Sequence, residues 1–348
     1  MAEKIAIQLE NEGRMSVLCD AKSQCLVVPV VAWSQIQADV RAGHAQDYQI
    51  GAELMTIYTA TDGTKYKCPW VVLDNNRSCE WADGTTHPGL WLGMKYCAVE
   101  QIPFDAREGI EATEATAQEG VYYCSVNLQH AYTMLDLSAG EPVPYSSGVT
   151  ILKGIINNVN VYKEGYNRYR DSAIRQWLNS GAKPGKWWSA THLGDVAPSA
   201  AATVQGFMAG LDETFLKAIQ PVKVQAATNT VTDDGVTDVM YDRFFLQSLE
   251  EVYGVPEVND AEGPYFPYWK TATGYNVPSN GSSSNKKDAR KIKPLDMAAA
   301  CSVRLRSAQR EKSSSTYLIT FGGYIPAAST NAPATLGEYR ALAACVIS

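Results

Sequence analysis

The stretch from Tyr162 to Trp188 constrains the fold of this chain more than any other part of the sequence. Residues 172–180 predict a short helix whose first amides are capped by Asp171 or Ser172 and which ends at Gly181. Its apolar residues fall on one face: Ile174, Trp177 and Leu178. Because so short a helix is not stable alone, we expect it to nucleate a C-terminal domain, with Trp177, Trp187 and Trp188 in the core.

Composition predicts a folded, acidic chain. The length of 348 residues suggests roughly two domains, and 19% charged with 45% hydrophobic residues is typical of a globular protein. A net charge of -7 provides no basic face for phosphate groups, so we do not expect nucleic acid as a partner. The chain has 19 Tyr and 8 Trp but only 7 Phe. This composition favours surfaces that remain partly exposed to water, because Tyr and Trp combine an apolar ring with a polar group.

The amino terminus predicts a soluble protein that is made in the cytoplasm. Residues 1–14 contain no apolar run followed by a small-residue cleavage site, so we expect no secretory signal. The longest apolar run, residues 26–33, is interrupted by Pro29 and is too short to span a bilayer. We therefore expect no membrane insertion.

The eight cysteines form no C-x-x-C pair and show no zinc-ligand spacing. They are Cys19, Cys25, Cys68, Cys79, Cys97, Cys124, Cys301 and Cys345. Without a secretory signal they are expected to be reduced and mostly buried. A bridge between Cys19 and Cys25, or between Cys68 and Cys79, is the alternative that the spacing leaves open.

The amino-terminal part is predicted to be rich in β-structure. Alternating apolar positions over residues 1–28 favour strands or an extended arm, and residues 34–41 predict a helix capped by Ser34. Asp62-Gly63 is the strongest hairpin signal, between strands predicted at residues 54–59 and 65–73. Further strands are predicted at residues 90–99, 120–126 and 132–137.

A stretch rich in Pro, Gly and Ser at residues 138–150 is the predicted domain boundary. It divides the chain into an N-terminal arm or strands at 1–30, a β-rich domain at 31–147 and a third unit at 148–348.

The third unit is predicted to combine short helices with strands. A helix begins after Asp212 and stops before Pro221, and a strand follows at residues 222–226. Residues 243–246 predict a strand leading into a helix with Ser248 and Glu251 as a capping box. Residues 258–293 show little periodicity and predict one long loop, while strands at 316–321 and 340–347 end the chain.

Motifs for catalysis and metal binding are scarce. The sequence has no HExxH, nucleophile elbow, P-loop or GxGxxG motif, and its four histidines are isolated. Asp233, Asp234 and Asp238 could supply oxygen ligands to calcium, but no glutamate follows at the required spacing, so a solvated turn is favoured. We therefore predict no enzyme activity, no cofactor and no metal.

The irregular loop is instead the predicted binding surface. Tyrosine and tryptophan give rigid contact area, and Asn, Ser and Gly adapt their hydrogen bonds, as in antibody loops. The candidate ligand- and partner-binding residues are Tyr265, Phe266, Tyr268, Trp269, Tyr275, Asn280, Asn285, Arg310, Lys312 and Asn331. The alternative is that these aromatic residues pack on the core of their own domain.

Seven segments carry a resemblance to known proteins. In the carboxyl half they are SAIRQWLN from Ser172, GFMAGLDETFLKAI from Gly206, RFFLQSLEEVYG from Arg243, VRLRSA from Val303 and RALAACVIS from Arg340. In the amino half they are WSQIQADVRAGHAQDYQIGAEL from Trp33 and YKCPWVVLD from Tyr66. Together they resemble an uncharacterised protein family of bacteriophages and prophages of gut bacteria, over most of the chain except residues 106–148.

The carboxyl half of that family is similar to the C-type-lectin-like fold, which the variable receptor-binding proteins of diversity-generating retroelements also use. The resemblance implies an α+β chain, with an N-terminal β-rich region followed by a C-type-lectin-like domain of short helices and a small antiparallel sheet. It further implies a virion protein. Residues 31–147 would attach it to the particle, and residues 148–348 would adhere to a bacterial surface ligand, glycan or protein. Other virion proteins and further copies of the chain are the expected partners.

Two alternatives remain open. A head or tail decoration protein would bury the aromatic residues of 265–275 between subunits, whereas an adhesin would expose them. An enzyme is suggested by the formylglycine-generating enzymes, which share the broad fold and bind copper through two cysteines, but Cys301 and Cys345 fall in predicted strands as small buried residues. The chain also departs from the family at residues 302–304, where relatives carry paired aromatic residues, and at residues 340–343.

Overall fold

The structure is a computed structural model. It describes residues 32–106, 165–191, 195–230, 233–255, 261–271, 290–310, 315–323, 334 and 337–348, together with the backbone of residues 5–8, 14–19, 25–29, 107–108, 121–126, 131–136, 141–143, 272–273 and 332–333.

Strands dominate the first part of the described chain, and short helices are interspersed with strands in the second part. Up to residue 143 the elements are β1 (Ile5–Gln8), β2 (Arg14–Cys19), β3 (Cys25–Pro29), α1 (Trp33–Arg41), β4 (Glu53–Thr59), β5 (Lys65–Asp74), β6 (Cys79–Glu80), β7 (Thr86–His87), β8 (Leu90–Met94), β9 (Arg107–Glu108), β10 (Val121–Val126), β11 (Ala131–Asp136) and β12 (Glu141–Val143). From residue 165 onward they are α2 (Ala173–Leu178), β13 (Asp195–Val196), α3 (Ser199–Thr203), α4 (Glu213–Ala218), β14 (Val222–Ala227), β15 (Thr237–Asp242), β16 (Phe244–Leu246), α5 (Leu249–Tyr253), α6 (Pro267–Thr273), β17 (Val303–Ala308), β18 (Ser315–Ile319), β19 (Ala332–Pro333), β20 (Arg340–Ala341) and β21 (Ala343–Ile347).

Helix α2 confirms the helix predicted from the opening stretch. The Ser172 hydroxyl accepts a hydrogen bond from the Arg175 amide, and the apolar face is buried. The helix ends at Leu178, not at Gly181 as predicted. Asn179 explains the earlier end, because its side-chain oxygen accepts the amides of Arg243 and Phe244 at 3.0 and 3.2 Å and so turns it toward strand β16.

Local capping signals are largely confirmed. Helix α4 begins after Asp212, whose carboxylate accepts the Thr214 amide at 2.8 Å. Helix α5 has the predicted capping box, in which Ser248 and Glu251 bind each other's amides, both at 3.0 Å. The predicted Ser34 cap is wrong, because helix α1 begins at Trp33 and has no side-chain cap.

The central sheet has five antiparallel strands in the order β16-β21-β8-β5-β4. The hairpin predicted at Asp62-Gly63 joins β4 to β5, with Thr59 opposite Lys65. Strands β4, β5 and β8 come from the predicted domain 31–147, whereas β16 and β21 come from the predicted unit 148–348. One sheet therefore contains segments from both sides of the predicted boundary.

A single aromatic cluster fills the space between this sheet and the helices. The Trp70 ring lies 5.1 Å from the Phe215 ring and 5.9 Å from the Phe244 ring. Phe207 packs at 5.2 Å on Phe244 and at 5.2 Å on Trp177. Of the tryptophans predicted to lie in the core, Trp177 and Trp187 are buried and Trp188 is half-buried against it.

A second, smaller sheet has the order β19-β18-β17-β20, in which only β17 and β20 run parallel. Helix α6 overturns the prediction of one long loop at residues 258–293, because residues 267–273 are helical. The mixture of helices and mainly antiparallel sheets is an α+β architecture. In the described part of the chain, no helix has the length and apolar character needed to cross a bilayer.

The five cysteines whose side chains the structure describes, Cys68, Cys79, Cys97, Cys301 and Cys345, are free thiols, as predicted. Four of them are buried and Cys301 is half-buried. Since Cys68 and Cys79 are both free, the alternative bridge between them is not formed.

Candidate functional site

The predicted aromatic binding segment is largely part of the core. Phe266 is fully buried and Trp269 is 2% exposed, with its indole N–H donating to Gln247 Oε1 at 2.7 Å. The two residues are three positions apart at the start of helix α6, so both rings point to the same inner side. This corrects the prediction that Phe266 and Trp269 are contact residues, because their rings do not reach the surface.

The two tyrosines of the same segment are half-buried. The Tyr265 hydroxyl accepts a hydrogen bond from Arg290 Nη2 at 2.9 Å, and its ring lies close to Gly254. Tyr268 packs edge-on against Trp269, with ring centroids 4.8 Å apart. The structure thus brings four predicted residues together at the start of helix α6, with two rings buried and two half-buried, and not on a projecting loop.

The remaining predicted residues do not extend this group. Arg310 lies at the β14–β15 turn, where its carbonyl oxygen accepts the Thr230 amide at 2.8 Å. Five others lie outside the described residues: Tyr275, Asn280, Asn285, Lys312 and Asn331.

The acidic turn at residues 233–238 is bound by protein donors. Asp238 receives two hydrogen bonds from Arg168, at 2.5 and 2.7 Å, and one from Arg170 at 3.1 Å. The Asp233 carboxylate accepts from the Tyr166 hydroxyl at 2.5 Å and from Asn229 at 2.8 Å. The predicted solvated turn is therefore wrong for Asp233 and Asp238, which form buried or nearly buried bonds. Among the described residues, no group of three or more acidic, His or Cys side chains is placed to hold a metal ion.

A buried ionic network, which we name the Arg306 cluster, consists of Arg77, Glu251, Glu262, Arg306 and Ser307. Arg306 Nη1 donates to Glu251 Oε2 at 2.6 Å, and Arg77 Nη1 donates to the other Glu251 oxygen at 3.2 Å. The Ser307 hydroxyl donates to Glu262 Oε2 at 2.6 Å. Burial raises the pKa of Glu251, but the positive charges of Arg306 and Arg77 outweigh it, so the net pKa is lowered.

The Arg306 cluster joins several segments of backbone. Arg306 donates from Nη1 to the Leu246 carbonyl at 2.7 Å and from Nε to the Gln225 carbonyl at 2.7 Å. Glu262 Oε1 accepts the Ala227 amide at 2.9 Å. Strands β14, β16 and β17 and the segment before α6 are thereby held at one point, although no sequence motif for a functional site marks these residues.

Strand β15 presents two exposed apolar side chains on one face. Its side chains alternate, so that Val239 is 48% exposed and Tyr241 is 36% exposed. In the pairing with β14, Val239 lies opposite Gln225 and Tyr241 lies opposite Lys223. We name this surface, made of Lys223, Gln225, Thr237, Val239 and Tyr241, the β15 face.

An ion pair closes one end of the β15 face. Lys223 Nζ lies 3.0 Å from Glu80 Oε2, and the Tyr241 hydroxyl donates to the other Glu80 oxygen at 3.3 Å. The phenol of Tyr241 therefore keeps a polar partner while its ring faces outward. This pairing gives the face a mixed apolar and charged character that suits a partially wet contact.

Arginines hold the inner side of the same strand. Asp242 accepts a bidentate pair of hydrogen bonds from Arg175 of helix α2, both at 2.8 Å. Asp238 is held in the same way by Arg168. Since both inward carboxylates are paired, the outward residues stand on a rigid strand.

Comparison with known protein families places most of these features in one domain. The family described as Domain of unknown function (DUF6273) matches residues 146–335, which is more than half of the chain. The chain belongs to this family. The comparison with curated proteins gave no match, and the comparison with solved structures gave none either.

The DUF6273 domain contains the β15 face and most of the Arg306 cluster. Arg77, which completes that cluster, lies before the domain, and its guanidinium stacks 3.9 Å from the Trp91 ring of strand β8. Strand β21, in the central sheet, lies after it. The DUF6273 domain therefore shares both its sheet and its buried charges with flanking parts of the chain.

Proposed function

We propose that this protein is a non-enzymatic virion protein of a bacteriophage or prophage, and that its DUF6273 domain adheres to a ligand on the bacterial surface. The resemblance of its sequence segments to phage and prophage proteins supports the virion assignment. The β15 face supports a binding role and is the one structural observation on which the proposal depends.

Exposed apolar area on the β15 face is unfavourable in the free protein. Val239 and Tyr241 leave apolar area in water on a strand that the arginines hold in place. A rigid Tyr with an outward ring contributes contact area with little further loss of entropy on binding. Many copies on a symmetric particle would convert weak single contacts into firm attachment.

We also propose that the DUF6273 domain has a C-type-lectin-like fold. Support comes from short helices α2 and α4, which pack against the antiparallel central sheet through the aromatic cluster. The last strand also lies beside the segment that follows α4, since Ile219 forms an isolated β-bridge with Ile347.

The test combines particle labelling with a binding assay. Purified particles from the source lysate are labelled with antibody to residues 148–348, and binding of the purified protein to host cells is measured. Val239→Asp and Tyr241→Ser should each weaken cell binding about tenfold or more. The first variant places a charge at the centre of the face, and the second removes the aromatic ring that supplies contact area there. Label at tail or fibre tips is the expected location.

Val196→Asp is the matched control, since Val196 is an exposed strand valine, 42% exposed, outside the β15 face. It should bind cells as the unaltered protein does. Equal binding by all variants would remove the β15 face from the proposal, and particles without any label would overturn the virion assignment.

A decoration protein of the head or tail is the second candidate, and one observation favours it. Within the described residues, β15 pairs with β14 alone, so no second strand covers its other edge, and an uncovered edge is suited to a strand of a neighbouring subunit. Even label over the capsid, together with loss of particle incorporation in Val239→Asp, would favour this function over adhesion.

A further inference from the structure

Two thiols that are far apart in sequence meet at the edge of the DUF6273 domain. Cys97 Sγ lies 3.2 Å from Cys301 Sγ, across a sequence separation of 204 residues. Cys97 follows strand β8 and is fully buried, whereas Cys301 precedes strand β17 and is half-buried. Cys97 is therefore shielded from solvent, whereas Cys301 is partly exposed.

Backbone hydrogen bonds tie both cysteines to the same short segment, residues 292–295. The Cys97 amide donates to the Lys293 carbonyl at 3.0 Å, and the Leu295 amide donates to the Cys97 carbonyl at 3.1 Å. The Cys301 amide donates to the Ile292 carbonyl at 2.8 Å. Their approach is therefore set by the fold, and a disulfide of about 2.05 Å needs a closure of only about 1 Å.

The surroundings make the two thiols unequal. The hydrogen bond from Cys97 lowers the pKa of Cys301, and the Arg340 guanidinium lowers it further against the effect of burial. Burial raises the pKa of Cys97, and the contact with Cys301 raises it further. Arg340 is itself fixed, because its Nη1 donates to the Ala98 carbonyl at 3.1 Å and to Asp296 at 3.2 Å.

We propose that Cys301 is a thiol–disulfide exchange site for small disulfides such as glutathione disulfide, and that Cys97 resolves the product into a Cys97–Cys301 disulfide. This proposal stands on the cysteine geometry and does not depend on the proposed virion function.

The exchange takes place in two balanced steps. The Cys301 thiolate attacks one sulfur of the small disulfide, forming a mixed disulfide and releasing one small thiolate. Cys97 then loses its proton, attacks Cys301 Sγ and releases the second small thiolate. Two protein thiols are oxidised, the small disulfide is reduced to two thiols, and the two protons pass to the released thiolates.

The bond would tie the DUF6273 domain to the segment before it. Cys301 lies inside residues 146–335 and Cys97 lies outside them. In a reducing cytoplasm the pair stays open, and in an oxidising exterior it closes. A cross-link over so long a loop should raise the midpoint of thermal unfolding by about 5 °C or more.

The experiment exposes the reduced, purified full chain to glutathione disulfide. The expected results are the loss of two titratable thiols, a peptide linking Cys97 to Cys301 by mass spectrometry, and the rise in the unfolding midpoint. Cys79→Ala serves as the control and should still form the linked peptide, since Cys79 is a buried thiol with a partner elsewhere.

Two variants separate the roles of the cysteines. Cys97→Ala should retain one glutathione on Cys301, because no thiol remains to resolve the mixed disulfide, whereas Cys301→Ala should take up none at the buried Cys97. Unchanged thiols at both positions in the unaltered protein would overturn the proposal, whether or not the variants fold. Glutathione on Cys97 in Cys301→Ala would overturn the assigned order of attack.

Discussion

Arg306 Nη1 donates to Glu251 Oε2 at 2.6 Å where each side chain is only 1% exposed. The pair joins strand β17 to helix α5, and Arg77 adds a second positive charge from outside the DUF6273 domain. Loss of one member of a buried ion pair leaves its partner uncompensated, and that is more costly than the pair itself is favourable.

Glu251→Gln should therefore lower the free energy of unfolding by about 3 kcal/mol, because it removes the carboxylate charge that pairs directly with both Arg306 and Arg77. Urea denaturation of the purified protein measures this. Glu213→Gln is the matched control: Glu213 pairs with Lys217 on an exposed helix surface, so its loss should cost less than about 0.5 kcal/mol. Equal costs for the two variants would contradict the buried network.

Glu100 should make stability depend on pH. Burial raises its pKa from 4.5 to about 7, and neither of its oxygens has a hydrogen-bond partner of good geometry. The unfolded chain loses this proton near pH 4.5 and the folded chain near pH 7, so the contribution to stability is full below pH 4.5 and is lost as pH rises to about 7. The loss amounts to about 3 kcal/mol.

Glu100→Gln should abolish that part of the pH dependence. Unfolding midpoints in urea, measured at intervals from pH 4.5 to 8, should flatten in the variant relative to the unaltered protein. An unchanged slope between these pH values would show that Glu100 ionises normally in the folded state.

Gly254 should tolerate alanine less well than Gly43 does. Both have left-handed backbone, with φ of 69° and 88°, so alanine strains each by about 1 kcal/mol. At Gly254 the added carbon would also lie 3.0 Å from the Tyr265 ring, which Arg290 holds in place, whereas at Gly43 nothing lies within 4 Å. Thermal unfolding should show the larger loss for Gly254→Ala, and a larger loss for Gly43→Ala would refute the packing argument.

Trp269→Ala should lower the free energy of unfolding by about 3 to 5 kcal/mol, because it opens a cavity and removes the donor to Gln247. Met297→Ala is its control, since Met297 is 52% exposed and its loss should change stability by less than about 0.5 kcal/mol. Chemical denaturation compares the two. A Trp269→Ala protein of normal stability would return this residue to the candidate binding surface.

Local features were predictable because their determinants are close together in the chain. Ser248 and Glu251 are three residues apart and bind each other's amides, so the capping box is visible in the sequence. The hairpin between β4 and β5 could be predicted from its Asp-Gly turn and its two flanking strands alone. The prediction for α1 was less accurate, since Ser34 offered a cap that the helix, starting one residue earlier, does not use.

Features that depend on distant residues were not predictable. The aromatic residues of the 258–293 segment were equally compatible with a binding loop and with a core helix, and only packing against Gln247 and the sheet placed Phe266 and Trp269 inside. Arg306 and Glu251 are 55 residues apart, and neither carries a signal that names its partner. The pairing of Asp238 in the acidic turn likewise depends on Arg168, which lies 70 residues earlier in the chain.

The sequence by itself determined the capped starts of α2, α4 and α5 and the hairpin between β4 and β5, because short-range hydrogen bonding and turn chemistry specify these features locally. The tertiary structure alone decided that strands from both sides of residue 148 share one sheet, that Cys97 meets Cys301, and that β15 presents Val239 and Tyr241. These pairings require segments to meet across long loops. The chain's local pattern carries no information about which partner closes each loop.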